Sequence, residues 1–198
     1  MSAKVTDQDT ERLIKETAMQ IFFAEGRFNA TTQEIADAAG VNRTLINYYF
    51  RSRDKLFERV FEEAHKHEHE LMEQIFYSGL PFKEKIARHL DVSFEQSQKY
   101  PYLEIYMVTQ VNQGCNLKDH ENMGELLKDF YREIAEEMEK GNIEKMRPEQ
   151  FALNFISLMS FPVSMRPLLQ ETMNFTNEEF DTILSERKEI IMKTLFKQ

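Results

Sequence analysis

Residues 31–53 read TTQEIADAAGVNRTLINYYFRSR, and that stretch leaves few folds open to the chain. Thr31 followed three positions later by Glu34 is a capping box, in which hydroxyl and carboxylate each satisfy an amide that a helix start leaves without a partner. A helix therefore begins near Thr32, with Ile35, Ala36 and Ala39 as its apolar face; the two alanines leave room for another helix to cross close by. Gly40 ends it, because glycine accepts the left-handed conformation that closes a helix, and Val41 folds back as the hydrophobic contact of the turn. Asn42 caps a second helix. Within it Ile46, Tyr49 and Phe50 fall on one side while Arg43, Thr44, Asn47 and Tyr48 lie largely off it. Two short helices across a glycine turn, the second with a polar outer face, make a helix-turn-helix, and the outer face is what a DNA groove meets.

The rest of the chain reads as helix after helix. Asp9 or Thr10 caps a first helix whose Ile14, Ala18, Ile21 and Phe22 recur at three and four residues, ending at Gly26. Arg53 to Phe76 carries Leu56, Val60, Phe61, Ala64 and Leu71 in helical register, long enough to bridge two domains. Pro81 and Pro101 each open a helix, Asn112 to His120 reads as a polar loop, and a helix from about Asn122 to Lys140 stops at Gly141. Pro148 opens the next, which Pro162 and Pro167 are expected to kink or divide. Thr176 and Glu179 form a second capping box before a final helix with Phe180, Ile183, Leu184, Ile191 and Leu195 as its apolar stripe. With no strand pattern and no repeat, the expected class is all-α.

Charge narrows the partners. The net charge of −9 argues at first against nucleic acid, since phosphates are neutralised by lysine and arginine. Residues 1–60, however, hold nine basic side chains against nine acidic ones, so the whole excess lies beyond them. Arg43, Arg51, Arg53, Lys55 and Arg59 cluster in and after the second helix of the turn unit, opposed by Asp54 and Glu58 alone. No run approaches the roughly 18 apolar residues of a membrane span and the first residues are polar, so a soluble cytoplasmic protein is expected. The single Cys115 excludes an intrachain disulfide framework.

The threonine-capped E-I-A helix, the A-G-V turn, the Y-Y-F ending and the R-S-R-D-K-L that follows together resemble the DNA-binding domain of the tetracycline-repressor (TetR) family of transcriptional regulators. The resemblance covers Thr10 to Phe61; the remainder is similar in length and helical pattern only. It implies a three-helix DNA-binding domain over residues 1–52 and a helical ligand-binding and dimerisation domain over 53–198. It also implies a homodimer paired through the last two helices, a double-stranded and palindromic operator, and a repressor released by a small-molecule effector that shifts the helix after Arg53. A transcriptional activator, a ligand-independent DNA organiser and a helical protein-interaction scaffold are the alternatives.

Roles can be assigned on that basis. Thr32 and Gln33, at the start of a helix whose amides favour an anion, are expected to approach phosphates. Arg43 suits guanine O6 and N7, and Asn47 suits adenine N6 and N7, with Thr44 as their support. Tyr48 and Arg53 stand at family positions that grip the DNA backbone. Two departures are visible: Leu45 stands where the family has a small polar residue, leaving an apolar contact, and Asn47 where it has tyrosine. Tyr106, Met107, Phe130 and Met159, on segments that line the cavity in relatives, are the candidate ligand contacts. The aromatic and methionine load of these helices also fits plain core. His65, His67 and His69 do not make a metal site, since only the first and third share a face and no third ligand is near. No nucleophile elbow, phosphate loop or HExxH motif is present, and neither an enzyme nor a cofactor is expected.

Overall fold

A computed structural model describes residues 7–112 and 123–197 of the chain. Among them are ten α-helices and one π-helical turn, and no strand. The loop expected over Asn112 to His120, beyond the last residue of its preceding helix, lies outside the described residues, as does Cys115. The chain separates into two compact units, Met1–Glu70 and Leu71–Gln198, and the division between them falls within one helix.

In the first unit, α1 (Asp7–Met19) runs into a π-helical turn, Gln20–Ala24, before Gly26 takes φ 70°. The Glu25 amide reaches the Gln20 carbonyl at 3.0 Å, one residue further back than in an α-helix. The neighbours Ile21, Phe22 and Phe23 are all buried in this turn. Helices α2 (Thr32–Ala39), α3 (Arg43–Phe50) and α4 (Arg53–Phe76) follow. The α2 capping box forms as read: Thr31 Oγ1 accepts from the Glu34 amide at 3.3 Å, and the Thr31 amide donates to Glu34 Oε2 at 2.8 Å. Gly40 sits at φ 65°, and the amides of Gly40 and Val41 return to the carbonyls of Asp37 and Ala36. Leu56, Phe57, Val60, Phe61 and Ala64 of α4 are buried in this unit, which is why it extends past residue 52. The rings of Phe22 and Phe57 lie 4.5 Å apart at its centre.

The second unit is built from the end of α4 with α5 (Phe82–Lys99), α6 (Leu103–Asn112), α7 (Met123–Glu139), α8 (Pro148–Ser164), α9 (Arg166–Met173) and α10 (Asn177–Leu195). Helix α8 touches α5, α6, α7, α9 and α10, and its Phe151 and Phe155 are fully buried among Ile86, Leu90, Ile134 and Leu184. Each such side chain contributes about 1.5–3 kcal/mol by leaving water.

Pro162 lies inside α8, ahead of the division that the two prolines lead one to expect. Proline lacks the amide that would bond the Leu158 carbonyl four residues back, and Arg187 Nε of α10 donates to that carbonyl instead, at 2.9 Å. The division comes at Met165, with Pro167 in the first turn of α9. The stripe read along α10 also changes meaning. Phe180, Leu184, Ile191 and Leu195 are consumed by the unit's own core, whereas Ile183 stays exposed together with Ile190.

Candidate nucleic-acid interface

Helix α3 is seated by Ile46 and Phe50, both buried, and by Tyr49, whose hydroxyl donates to the Asp7 carboxylate at the start of α1. That carboxylate holds the Tyr49 phenol up to about 12, chiefly through the hydrogen bond and then through burial and charge. The seat leaves Arg43, Thr44, Asn47 and Tyr48 exposed along one side, as the spacing predicts. Tyr48 is 63% exposed and rests edge-on against Tyr49, with ring centroids 5.0 Å apart. Leu45 is half-buried, so its side chain is only partly offered to solvent. Thr44 is committed to the cap: its amide and hydroxyl both donate to Asn42 Oδ1, at 2.9 and 2.7 Å. It therefore supports the start of α3 rather than the side chains of Arg43 or Asn47.

At the start of α2, Thr32 is half-buried and Gln33 is exposed, with its amide nitrogen on Asp37 Oδ1 at 2.7 Å. Glu34 lies in the same first turn. Hydrogen bonds from the Thr31 amide and hydroxyl, then from Arg27, hold its carboxyl below the usual range, and Arg27 offsets its charge across 2.6 Å. An anion arriving at this helix end thus meets free amides and a carboxylate already neutralised by an arginine.

The basic cluster divides on inspection. Arg12 pairs with Asp9 and Glu16, Lys15 and Arg59 with Glu63, Arg27 with Glu34, Lys55 with Glu58 and Lys66 with Glu70. Arg53 is turned into the protein. Its side chain is 26% exposed, its Nε donates to the Ala30 carbonyl at 3.2 Å, and its guanidinium lies 5.1 Å from the Phe22 ring and 5.0 Å from the Phe57 ring. Arg43 and Arg51 have no ion pair among the described residues. Sequence reasoning gave no role of its own to Arg51, although it continues the four-residue series Arg43, Asn47, Arg51.

The candidate ligand contacts separate in the second unit. Phe130 is buried, 4.9 Å from Phe76 and 6.4 Å from Phe155, and Met159 packs on the same core. Tyr106 and Met107 are half-buried on α6, outside that core cluster. Two polar groups in this interior escaped the sequence reading. His89 lies between Phe76 and Phe155, 5.4 and 5.3 Å from their rings; its Nδ1 is buried without a hydrogen-bond partner, and burial pushes the imidazole down to about 4. Burial likewise pushes the Glu104 carboxyl up, opposed by hydrogen bonds from Ser164, at 2.8 Å, and Ser160. His89 follows directly on an apolar period, a signal that marks burial without saying what the imidazole meets. Among the described residues no group of three or more histidine, cysteine or acidic side chains is placed to hold a metal, and no helix is long and apolar enough to cross a membrane.

Residues 14–60 match the family described as bacterial regulatory proteins, tetR family. The chain is 29% identical over 103 residues to the HTH-type transcriptional regulator AcrR of Shigella flexneri, covering 50% of this chain and 48% of that protein. The match thus spans about half the length of that relative. Its fold is like that of a TetR family transcription regulator from Marinobacter aquaeolei, with a TM-score of 0.61 at 15% identity over 97% of this chain and 98% of the other. It is also like that of a TetR/AcrR family regulator from Thermobifida fusca, with a TM-score of 0.59 at 16% identity over 93% and 97% of the two chains.

Proposed function

We propose that the chain is a member of the tetR family of bacterial regulatory proteins, which residues 14–60 match, and that it is a repressor that binds a palindromic double-stranded operator as a homodimer and leaves it when a small molecule binds the second unit. One observation carries the DNA-binding part: a recognition helix whose apolar side is fully seated and whose exposed side presents Arg43, Asn47 and Tyr48. In this reading Arg43 and Asn47 meet base edges, each good bidentate pair being worth about 1–3 kcal/mol of discrimination. Thr32, Gln33 and Tyr48 face phosphates, Leu45 adds an apolar edge, and Thr44 keeps the helix start in place.

Leu153 and Ile156 of α8 and Ile183 and Ile190 of α10 support the dimer. They are exposed aliphatic side chains on two helices that touch each other, and a two-fold copy of that pair covers them. Pairing two reading helices about one DNA turn apart is what a palindrome requires. The aromatic core around Phe130 and Met159, with Tyr106 and Met107 on α6, supports effector binding, and α4 is the element through which the effector acts. The effector must bind one conformation better than the other, since equal affinity shifts nothing.

Genomic fragments selected on the protein provide an operator for the test. Arg43→Ala and Asn47→Ala are each expected to lose that operator's preference over random duplex by about 1–3 kcal/mol. Unchanged preference in both removes them as base readers. A scaffold that meets only proteins shows no salt-dependent affinity for any duplex.

A further inference from the structure

We propose that Arg51 is a DNA-phosphate contact at the C-terminal end of α3, and that Arg53 instead positions the turn between α3 and α4. The proposal rests on the DNA-binding reading and assigns a side chain to it. Three independent observations converge on Arg51. It is exposed, and unlike the other arginines near α3's end it has no ion pair among the described residues. It stands eight residues after Arg43, so the two uncommitted cations bracket a helix about 12 Å long, with Asn47 between them. A helix lying in the major groove has phosphates beyond its ends and bases along its middle.

The third observation is the backbone. Arg51 has φ 67° and ψ −38°, in a region glycine enters freely and a side chain does not. The tight connection demands it. The Arg51 amide still bonds the Asn47 carbonyl of α3, while Ser52 already caps α4, its hydroxyl taking the Lys55 amide at 3.1 Å. Glycine would satisfy that geometry without strain, yet the position holds an arginine. Strain kept at a solvent-facing cation points to what the side chain does outside the fold.

Arg53 shows the opposite signature. With its Nε on Ala30, its guanidinium over two core rings and Nη2 buried, its contacts tie the start of α4 to the segment before α2 and fix the turn that presents Arg51.

Arg51→Gly separates fold from binding, because it relieves the backbone while removing the charge. Binding of the full-length protein to a short fluorescein-labelled duplex of mixed sequence is followed by anisotropy from about 50 to about 200 mM salt, alongside thermal melting. Arg51→Gly is expected to melt at or above the wild-type temperature and to bind with a log–log salt slope shallower by about 0.9 per protomer. Over a fourfold rise in salt that is a loss of affinity smaller by about 3.5-fold per protomer. Arg51→Lys should keep the slope, and Arg53→Gln should melt lower while keeping it. A wild-type slope in Arg51→Gly overturns the proposal and leaves Arg51 as a cation serving only the α3 dipole. Salt-independent binding by the wild type overturns the DNA-binding reading itself.

Discussion

Every buried side chain described in Met1–Glu70 is apolar, whereas Leu71–Gln198 buries Lys85, Ser97, Glu137 and Arg166 and keeps His89 and Glu104 largely from water. Local helix chemistry is not the difference, since the capping box of Thr31 and Glu34 recurs in Thr176 and Glu179 with the same pattern of bonds. The difference is what each interior must satisfy. In the first unit phenylalanine rings and aliphatic side chains fill the core, Arg53 lays its guanidinium over two of those rings, and Arg43, Thr44, Asn47 and Tyr48 of α3 face outward. In the second unit the interior charges need partners, which Glu137 finds a turn away in Lys140 and Asn142 and which Lys85 and Arg166 find on other helices. Lys85 Nζ sits 2.7 and 2.9 Å from the Glu133 oxygens of α7, and Arg166 reaches Asp181 of α10 at 2.7 Å, with Phe180 5.1 Å beneath it. Networks of this kind fix which helix meets which, and they are costly when half of one is missing.

The largest test of that contrast is Lys85→Ala, expected to lower unfolding stability by about 3 kcal/mol in urea titrations by stranding Glu133, while Lys85→Met with Glu133→Met returns to within about 1 kcal/mol of wild type. A double variant as unstable as the single one would mean that the pair matters for more than its own neutralisation. Next comes pH. The His89 imidazole falls from its ordinary 6.5 to about 4 because burial disfavours its charged form. The unfolded chain therefore takes up a proton first as pH drops: the contribution is whole above 6.5 and is lost by about pH 4. It amounts to about 3 kcal/mol over that window, and His89→Phe is expected to flatten the pH dependence by that much relative to wild type. An unchanged pH profile in that variant would show that His89 binds protons in the fold as it does in the unfolded chain. The smallest test compares the caps. Thr31→Ala and Thr176→Ala should each cost about 1 kcal/mol, and unequal losses would show that the surroundings, not the cap, set the effect.

Much of the fold could be read from single residues whose chemistry is local. The limits of α4, the αL turn at Gly40, the two capping boxes and Pro148 in the first turn of α8 all follow from neighbours in sequence. Features that stayed hidden depend on distant partners. Pro162 passes through α8 because Arg187, 25 residues on, supplies the missing donor. Ile183 belongs to the outside of α10 because α5 and α8 occupy the other side. The polar side of α3 was legible for the same reason as the caps, since it follows from helical period. The inward turn of Arg53 was not, because Phe22 and Ala30 come more than twenty residues earlier and meet it only in the folded unit. Nor does composition distinguish Arg51 from the other arginines, since its distinction is a backbone angle and the lack of an ion pair among the described residues.

The π-helical turn at Gln20–Ala24 has a genetic consequence. A helix advances about 100° per residue, so a residue added to an ordinary α-helix puts everything beyond it out of phase, whereas a π turn takes up such a residue with little rotation. One residue deleted within Gln20–Ala24 can therefore close the ladder into an ordinary α-helix while Ile14 and Ala18 keep their facing toward the buried side chains that follow. A deletion within the regular turns of α1 has no such outlet, so a gap of one codon in working copies of the gene should fall in this turn sooner than in the turns before it.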